Sequence, residues 1–132
     1  MEINIFQYGP SDFEEIRVIQ REFLSFLFSE LNKLPWFNLD EEHQVQLIMK
    51  NLDEFAEPDG RLFLVETDGQ IAGTISLRKI RRNCGEIKRM YVRPQFRGNK
   101  IATLMIDEVI KVSKNNGYSD LYLDTEIGRA HV

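Results

Sequence analysis

The chain has 132 residues, of which 42% are hydrophobic and 29% charged, with a formal net charge of −4. That length suffices for one domain with a real core, and no apolar run approaches the ~18 residues of a membrane span. Cys84 is the only cysteine, which excludes an internal disulfide and a multi-cysteine zinc site; no metal site is expected. With no basic n-region at Met1–Phe6, the chain suits a reducing cytoplasm.

In chain order, Ile3, Ile5 and Tyr8 form a short first strand that Gly9-Pro10 breaks. Ser11 and Glu14 have capping-box spacing, and Phe13, Ile16, Ile19/Gln20, Phe23, Leu24, Leu27 and Leu31 then recur at helical steps to about Asn32. Lys33 to Asn38 is a loop carrying Trp36 and Phe37. Acids at Asp40–Glu42 mark a second helix start, with Val45, Leu47/Ile48 and Leu52 as its apolar side. Glu57-Pro58-Asp59-Gly60 is a turn. Arg61–Thr67, Gln70–Ile80 and Glu86–Val92 read as three consecutive antiparallel strands, joined by Asp68-Gly69 and by Arg82–Gly85. Gly73 marks a bulge or a close backbone contact in the second of them. Ile101 to Asn115 keeps a helical period, Gly117 fits its C-cap, and Tyr118 to Asp124 is a last strand. Strand, long helix and strand predict a parallel, right-handed crossover between Glu86–Val92 and Leu121–Asp124.

Charge is unevenly spread. Residues 78–100 carry nine basic side chains against Glu86 alone, while residues 1–60 hold 13 acidic and 4 basic ones. A basic segment in an acidic protein favours a compact polyanion over a long nucleic acid, although Arg78–Arg82 alone also reads as a solvated face.

The basic segment contains the stretch Met90-Tyr91-Val92-Arg93-Pro94-Gln95-Phe96-Arg97-Gly98-Asn99-Lys100-Ile101-Ala102. It runs from a strand end through a glycine-containing turn to a helix start. A helix start exposes unpaired N–H groups and positive dipole, Gly98 permits close approach, and Arg97 and Lys100 add charge; these are the parts of a phosphate cradle.

This stretch resembles the GNAT N-acyltransferase motif: a strand ending in Tyr-Val, then arginine/glutamine-x-x-glycine-x-glycine/alanine, then a helix. Gln95-x-x-Gly98-x-Lys100 occupies the turn, with Lys100 where a small residue is usual. The order of elements matches over nearly the whole chain. The resemblance implies an α+β fold, with a mostly antiparallel central sheet, one parallel pair and flanking helices. It also implies acetyl-CoA or another acyl-CoA as cofactor. The pyrophosphate would sit on the amides of Arg97, Gly98, Asn99, Lys100, Ile101 and Ala102. The pantetheine arm would run along Met90, Tyr91 and Val92, where that strand splays from the next. The Met90 N–H would polarise the acyl carbonyl for attack by a small-molecule or peptide amine.

Glu86 is the candidate base. Four residues before Met90, it is expected on the same face as Lys88, Met90 and Val92; an edge carboxylate paired to Arg89 or Arg81 is the other reading. Trp36 and Phe37 either line the acceptor pocket or cap the core. The acidic first half suits a cationic amine. Tyr91, Tyr118 and Tyr122 are candidate general acids, whereas Cys84, His43 and His131 carry no expected chemistry.

The resemblance also implies a further helix and two strands. Residues 1–125 read as the domain and 126–132 as a tail of uncertain origin, leaving the last strand with an open edge that a homodimer would cover. A CoA-binding domain without catalysis and a small interaction module for an anionic partner are the alternatives; neither nucleic acid nor membrane is expected as a partner.

Overall fold

The computed structural model describes residues 2–31, 33–35, 40–125 and 128–131. The expected roles of Trp36 and Phe37 fall outside the described residues. The elements are β1 (Ile3–Gln7), α1 (Phe13–Leu31), α2 (Glu41–Lys50), β2 (Arg61–Thr67), β3 (Gln70–Arg81), β4 (Cys84–Val92), α3 (Ile101–Asn115), β5 (Asp120–Thr125) and β6 (Gly128–His131). Six strands form one sheet in chain order, and every neighbouring pair is antiparallel except the parallel β4–β5 pair. The α+β architecture and the parallel crossover are as the sequence predicts.

Alternation along β2 divides the core. Leu62 and Leu64 face α1, α2 and the 3-10 turn Leu52–Phe55, packing with Ile16, Ile19, Leu24, Phe28, Val45 and Ile48. Phe63 and Val65 face α3 with Ile75, Leu77, Ile87, Met105 and Val109. Both terminal guanidinium nitrogens of Arg21 donate to the Glu42 carboxylate, tying α1 to α2.

Several local expectations are corrected. A 3-10 turn at Pro10–Asp12 precedes α1, and the Asp12 carboxylate accepts the Gly9 N–H at 2.8 Å, so Asp12, and not the Ser11–Glu14 pair, caps this end. Phe13 is 46% exposed, outside the buried stripe, and Ile48 is buried where Leu47 is exposed. The β3–β4 loop is only Arg82-Asn83, with Asn83 at φ 60°, so β4 starts at Cys84, which is buried. The β5 edge is not open: β6 pairs along it from Tyr122↔His131 to Thr125↔Gly128. The argument for a homodimer from a bare β5 edge therefore lapses.

Two bulges position the rest. In β3 the pairing slips at Ala72-Gly73, and Gly73 lies so close to β4 that a Cβ would stand 2.8 Å from the Tyr91 carbonyl oxygen. In β4, Arg89 and Met90 together face Ile75, between the pairs Ser76↔Lys88 and Thr74↔Tyr91. The extra residue reverses the alternation: Ile87 packs on the α3 side, whereas Tyr91 packs on the α1 side. Met90 and Val92 consequently turn toward α3, away from the face of Glu86, which corrects the expected shared face.

Gly73→Ala is expected to cost about 1–3 kcal/mol of unfolding free energy, because the methyl group meets backbone. A denaturant midpoint equal to that of the parent would contradict this close approach.

Candidate functional site

The turn between β4 and α3 binds itself together through carbonyl groups. The Arg97 N–H donates to the Pro94 carbonyl (3.3 Å), the Arg97 Nε–H to Val92 (3.0 Å), the Asn99 Nδ2–H to Phe96 (3.1 Å) and the Leu104 N–H to Lys100 (3.1 Å). The N–H groups of Gly98, Asn99, Lys100, Ile101 and Ala102 are left with no protein acceptor among the described residues. The Arg97 amide, included in the expected cradle, is already used inside the turn. Beside the free amides lies a cavity of about 350 Å³ lined by Val92, Phe96, Arg97, Gly98, Lys100, Ile101 and Ala102. The arrangement is an anion site in both charge and hydrogen-bonding sense.

Backbone geometry explains the glycine. Gly98 has φ 87°, with nothing within 4 Å of where its Cβ would stand. Lys100 adopts the left-handed φ of 63°, and its side chain is exposed. That conformation favours a glycine, and a lysine holds it at the expense of strain.

Two arginines secure the end of β4. The Arg93 Nε–H donates to Glu22 on α1 (2.9 Å), and its terminal nitrogen donates to the Ile71 carbonyl (2.8 Å). The Arg97 guanidinium lies 5.4 Å over Phe26 and 5.9 Å over Tyr91, a cation–π seat against α1. The Arg93 N–H donates to Ala72 on β3, so by alternation the N–H and C=O of Val92 point the other way, toward β5. Among the described residues, β4 has no β5 partner beyond Ile87↔Leu123. Among the described residues, no residue of β5 therefore pairs with Met90, Tyr91 or Val92.

Tyr91 is 7% exposed, and Phe23 and Phe26 lie against its ring. Burial, and next the Glu22 charge, push its phenol above the ordinary tyrosine value, so it stays protonated at neutral pH. Tyr118, just before β5, donates to the Asp59 carbonyl, and Tyr122, opposite Glu86 in the β4–β5 ladder, lies 5.7 Å beneath Arg81.

Glu86 is fully buried on an interior strand, not an edge. Arg78, which the sequence reading did not propose as its partner, donates its Nε–H to Glu86 at 2.8 Å. Arg78 also reaches Glu54 at 3.5 Å, and Arg89 reaches the other Glu54 oxygen at 3.7 Å. Glu54 and Phe26 were not singled out from the sequence, Arg78 entered only through the Arg78–Arg82 cluster, and Arg89 only as a partner for Glu86. Arg78 was recoverable in part: once the loop is set at Arg82-Asn83, an unbroken ladder puts Lys79 opposite Glu86, and the extra residue at Ile80 moves Arg78 there.

The family model described as Acetyltransferase (GNAT) family matches residues 24–131. This chain belongs to the GNAT acetyltransferase family. An uncharacterized N-acetyltransferase of Schizosaccharomyces pombe is 28% identical over 118 residues, covering 88% of this chain and 68% of the relative. A GNAT family acetyltransferase of Staphylococcus aureus Mu50 superposes with a TM-score of 0.73 at 28% identity, over 94% of this chain and 74% of that one. The PaiA N-acetyltransferase of Thermoplasma acidophilum, crystallised with coenzyme A, shares the fold with a TM-score of 0.70 at 19% identity, over 93% and 79%. The GNAT match takes in β6 as well as the turn and α3. No helix among the described residues is long and apolar enough to cross a membrane.

Burial raises the folded-state values of Tyr91 and Tyr118 above the ~10 of an unfolded tyrosine. Their contribution to stability is complete below pH 10 and is lost as pH rises through the folded values. Tyr91→Phe is expected to flatten the alkaline fall in stability. Denaturant midpoints that fall equally steeply above pH 10 in both proteins would contradict this.

Proposed function

We propose that the protein is an N-acetyltransferase that uses acetyl-CoA as co-substrate and transfers the acetyl group to a primary amine by direct attack. The observation that carries this reading is the row of unpartnered amides from Gly98 to Ala102 beside a cavity at the start of α3. A diphosphate supplies both the negative charge and the acceptor oxygens such a row requires. The coenzyme A in the Thermoplasma acidophilum relative supports the choice of nucleotide. Lys100 stays at the mouth of the cavity as a mobile counter-charge, which favours an anion despite its position at a positive helix end.

In this reading the pantetheine arm lies along Met90–Val92, pairing with the backbone of that segment other than the Val92 carbonyl, which Arg97 holds, as an added strand would. The amine nitrogen attacks the acetyl carbon, with the Met90 N–H stabilising the oxyanion; the C–N bond forms, the C–S bond breaks and the CoA thiolate leaves. The attacking amine gives up one proton, and Glu86 is the proposed base. Because that carboxylate is fully buried, it serves a substrate seated in the cleft and not one in bulk solvent. The acidic excess of residues 1–60 favours a cationic acceptor. The single buried thiol suits a cytoplasmic setting.

Thermal unfolding with and without acetyl-CoA tests the cofactor. Ligand at ~100 times its dissociation constant adds about 2.7 kcal/mol, and the melting temperature rises accordingly. Gly98→Ala, which forces a side chain onto a left-handed backbone at the cradle, is expected to weaken acetyl-CoA by about tenfold, or ~1.4 kcal/mol. Equal affinity in both proteins would contradict the cradle.

Glu86→Gln is expected to lower thiol release at neutral pH steeply with any acceptor that supports turnover, by about 10²-fold or more. A pH–rate profile identical to that of the parent would remove Glu86 from the mechanism.

A further inference from the structure

Arg89 holds a backbone conformation that ordinarily belongs to glycine. Its φ is 54°, and it is the first of the two β4 residues set against Ile75. A bulge whose first residue is left-handed is normally built with glycine there. Here the position carries one of the longest side chains available, and that side chain is engaged. Its guanidinium lies 5.1 Å over the Phe55 ring and 3.7 Å from the Glu54 carboxylate, and the side chain is only 17% exposed. The partners are rigidly placed: Phe55 is fully buried and Leu52, at the other end of the same 3-10 turn, is 7% exposed. Glu54 is fixed in turn by Arg78, which binds Glu86.

The bulge sits at a particular place in the sheet. It lies between the pair Ile87↔Leu123 and the Met90–Val92 segment. The bulge sets two β4 residues against one of β3 just past the last β4–β5 pair among the described residues. An outlier of this kind is kept where the surrounding structure over-determines it, and such places cluster at functional sites.

We infer that Arg89 is a positioning residue: gripped by Glu54 and Phe55, its side chain holds the β4 bulge in the conformation that presents the Met90 N–H to the acetyl carbonyl. The inference rests on the reading above, in which acetyl-CoA lies along β4. Arg89 touches neither substrate nor cofactor in this scheme. It acts through the backbone of the residue that follows it.

The carbonyl stretch of acetyl-CoA labelled with ¹³C at the acetyl carbonyl, measured by infrared difference spectroscopy on the bound ligand, reads this directly and requires no acceptor. In the parent protein the band moves to lower wavenumber on binding. In Arg89→Ala, which leaves a side chain on the left-handed backbone and removes the grip on Glu54 and Phe55, acetyl-CoA still binds at the intact cradle, with an affinity within about threefold by calorimetry, but the shift is lost. Arg89→Lys, which keeps a charge for Glu54, recovers part of the shift, and Glu54→Gln loses part of it. Should the alanine variant not fold, Glu54→Gln carries the same test. A full shift in Arg89→Ala overturns the inference, as does an unshifted carbonyl on a parent protein that binds acetyl-CoA. A parent protein that binds no acetyl-CoA overturns the cradle itself and this inference with it.

Discussion

Strand β4 has to remain in the sheet on one side while it leaves it on the other. It is paired with β3 as far as Val92, yet among the described residues its pairs with β5 stop at Ile87. Backbone groups of an interior strand beyond its last strand partner need side chains, water or a ligand to meet them. The same divergence requires the chain to be held on the side that remains. Two contacts do so, the close approach of Gly73 to Tyr91 and the Arg93 bridge to Glu22 and Ile71, while the bond from Arg97 to the Val92 carbonyl closes the turn that follows. The cradle at the start of α3 follows directly from where those contacts leave the chain.

Electrostatics inside the domain serve the same strand. The basic run of residues 78–100 looks from composition like a surface patch, but its arginines divide between two tasks. Arg78, Arg89 and Arg93 meet Glu54, Glu86 and Glu22, so that part of the positive excess is neutralised against α1 and the turn after α2. Arg97 and Lys100 remain at the cavity. The acidic excess of the first 60 residues is correspondingly less exposed than the count suggests, since two of its carboxylates, Glu54 and Glu22, are the partners of Arg78 and Arg89 and of Arg93 at the β4 end. Breaking one member of such a cluster leaves its partner poorly compensated, so these pairs behave as a unit.

Much of the architecture was legible because periodicity and turn residues agreed. Asp68-Gly69 set the β2–β3 hairpin, the spacing of Ile101, Met105, Val109 and Val112 set the inner face of α3, and the strand–helix–strand order set the one parallel pair. The turn at Gly98 was legible for the same reason: a strand end, a glycine and a helix start leave little choice of backbone. What could not be read was anything that depended on the bulges at Ile80 and Arg89. Strict alternation placed Glu86 with Met90 and Val92, and one extra residue at Arg89 separated them. Alternation likewise hid the Arg78–Glu86 pair, because the slip at Ile80 moves the register by one. No side chain announces either bulge, since both sit at non-glycine residues. The Asp12 cap was missed because a 3-10 turn begins one residue before the expected capping box.

The central claim is that the amides from Gly98 to Ala102 receive the diphosphate of the cofactor. Two-dimensional amide NMR of the ¹⁵N-labelled protein, titrated with coenzyme A and separately with adenosine 3′,5′-bisphosphate, examines those five groups one at a time. The account predicts large downfield shifts for the Gly98–Ala102 N–H resonances with coenzyme A, while the Arg97 amide, already bonded to Pro94, moves little. If coenzyme A shifts resonances elsewhere in the protein and leaves those five unmoved, the cradle is not where the cofactor binds.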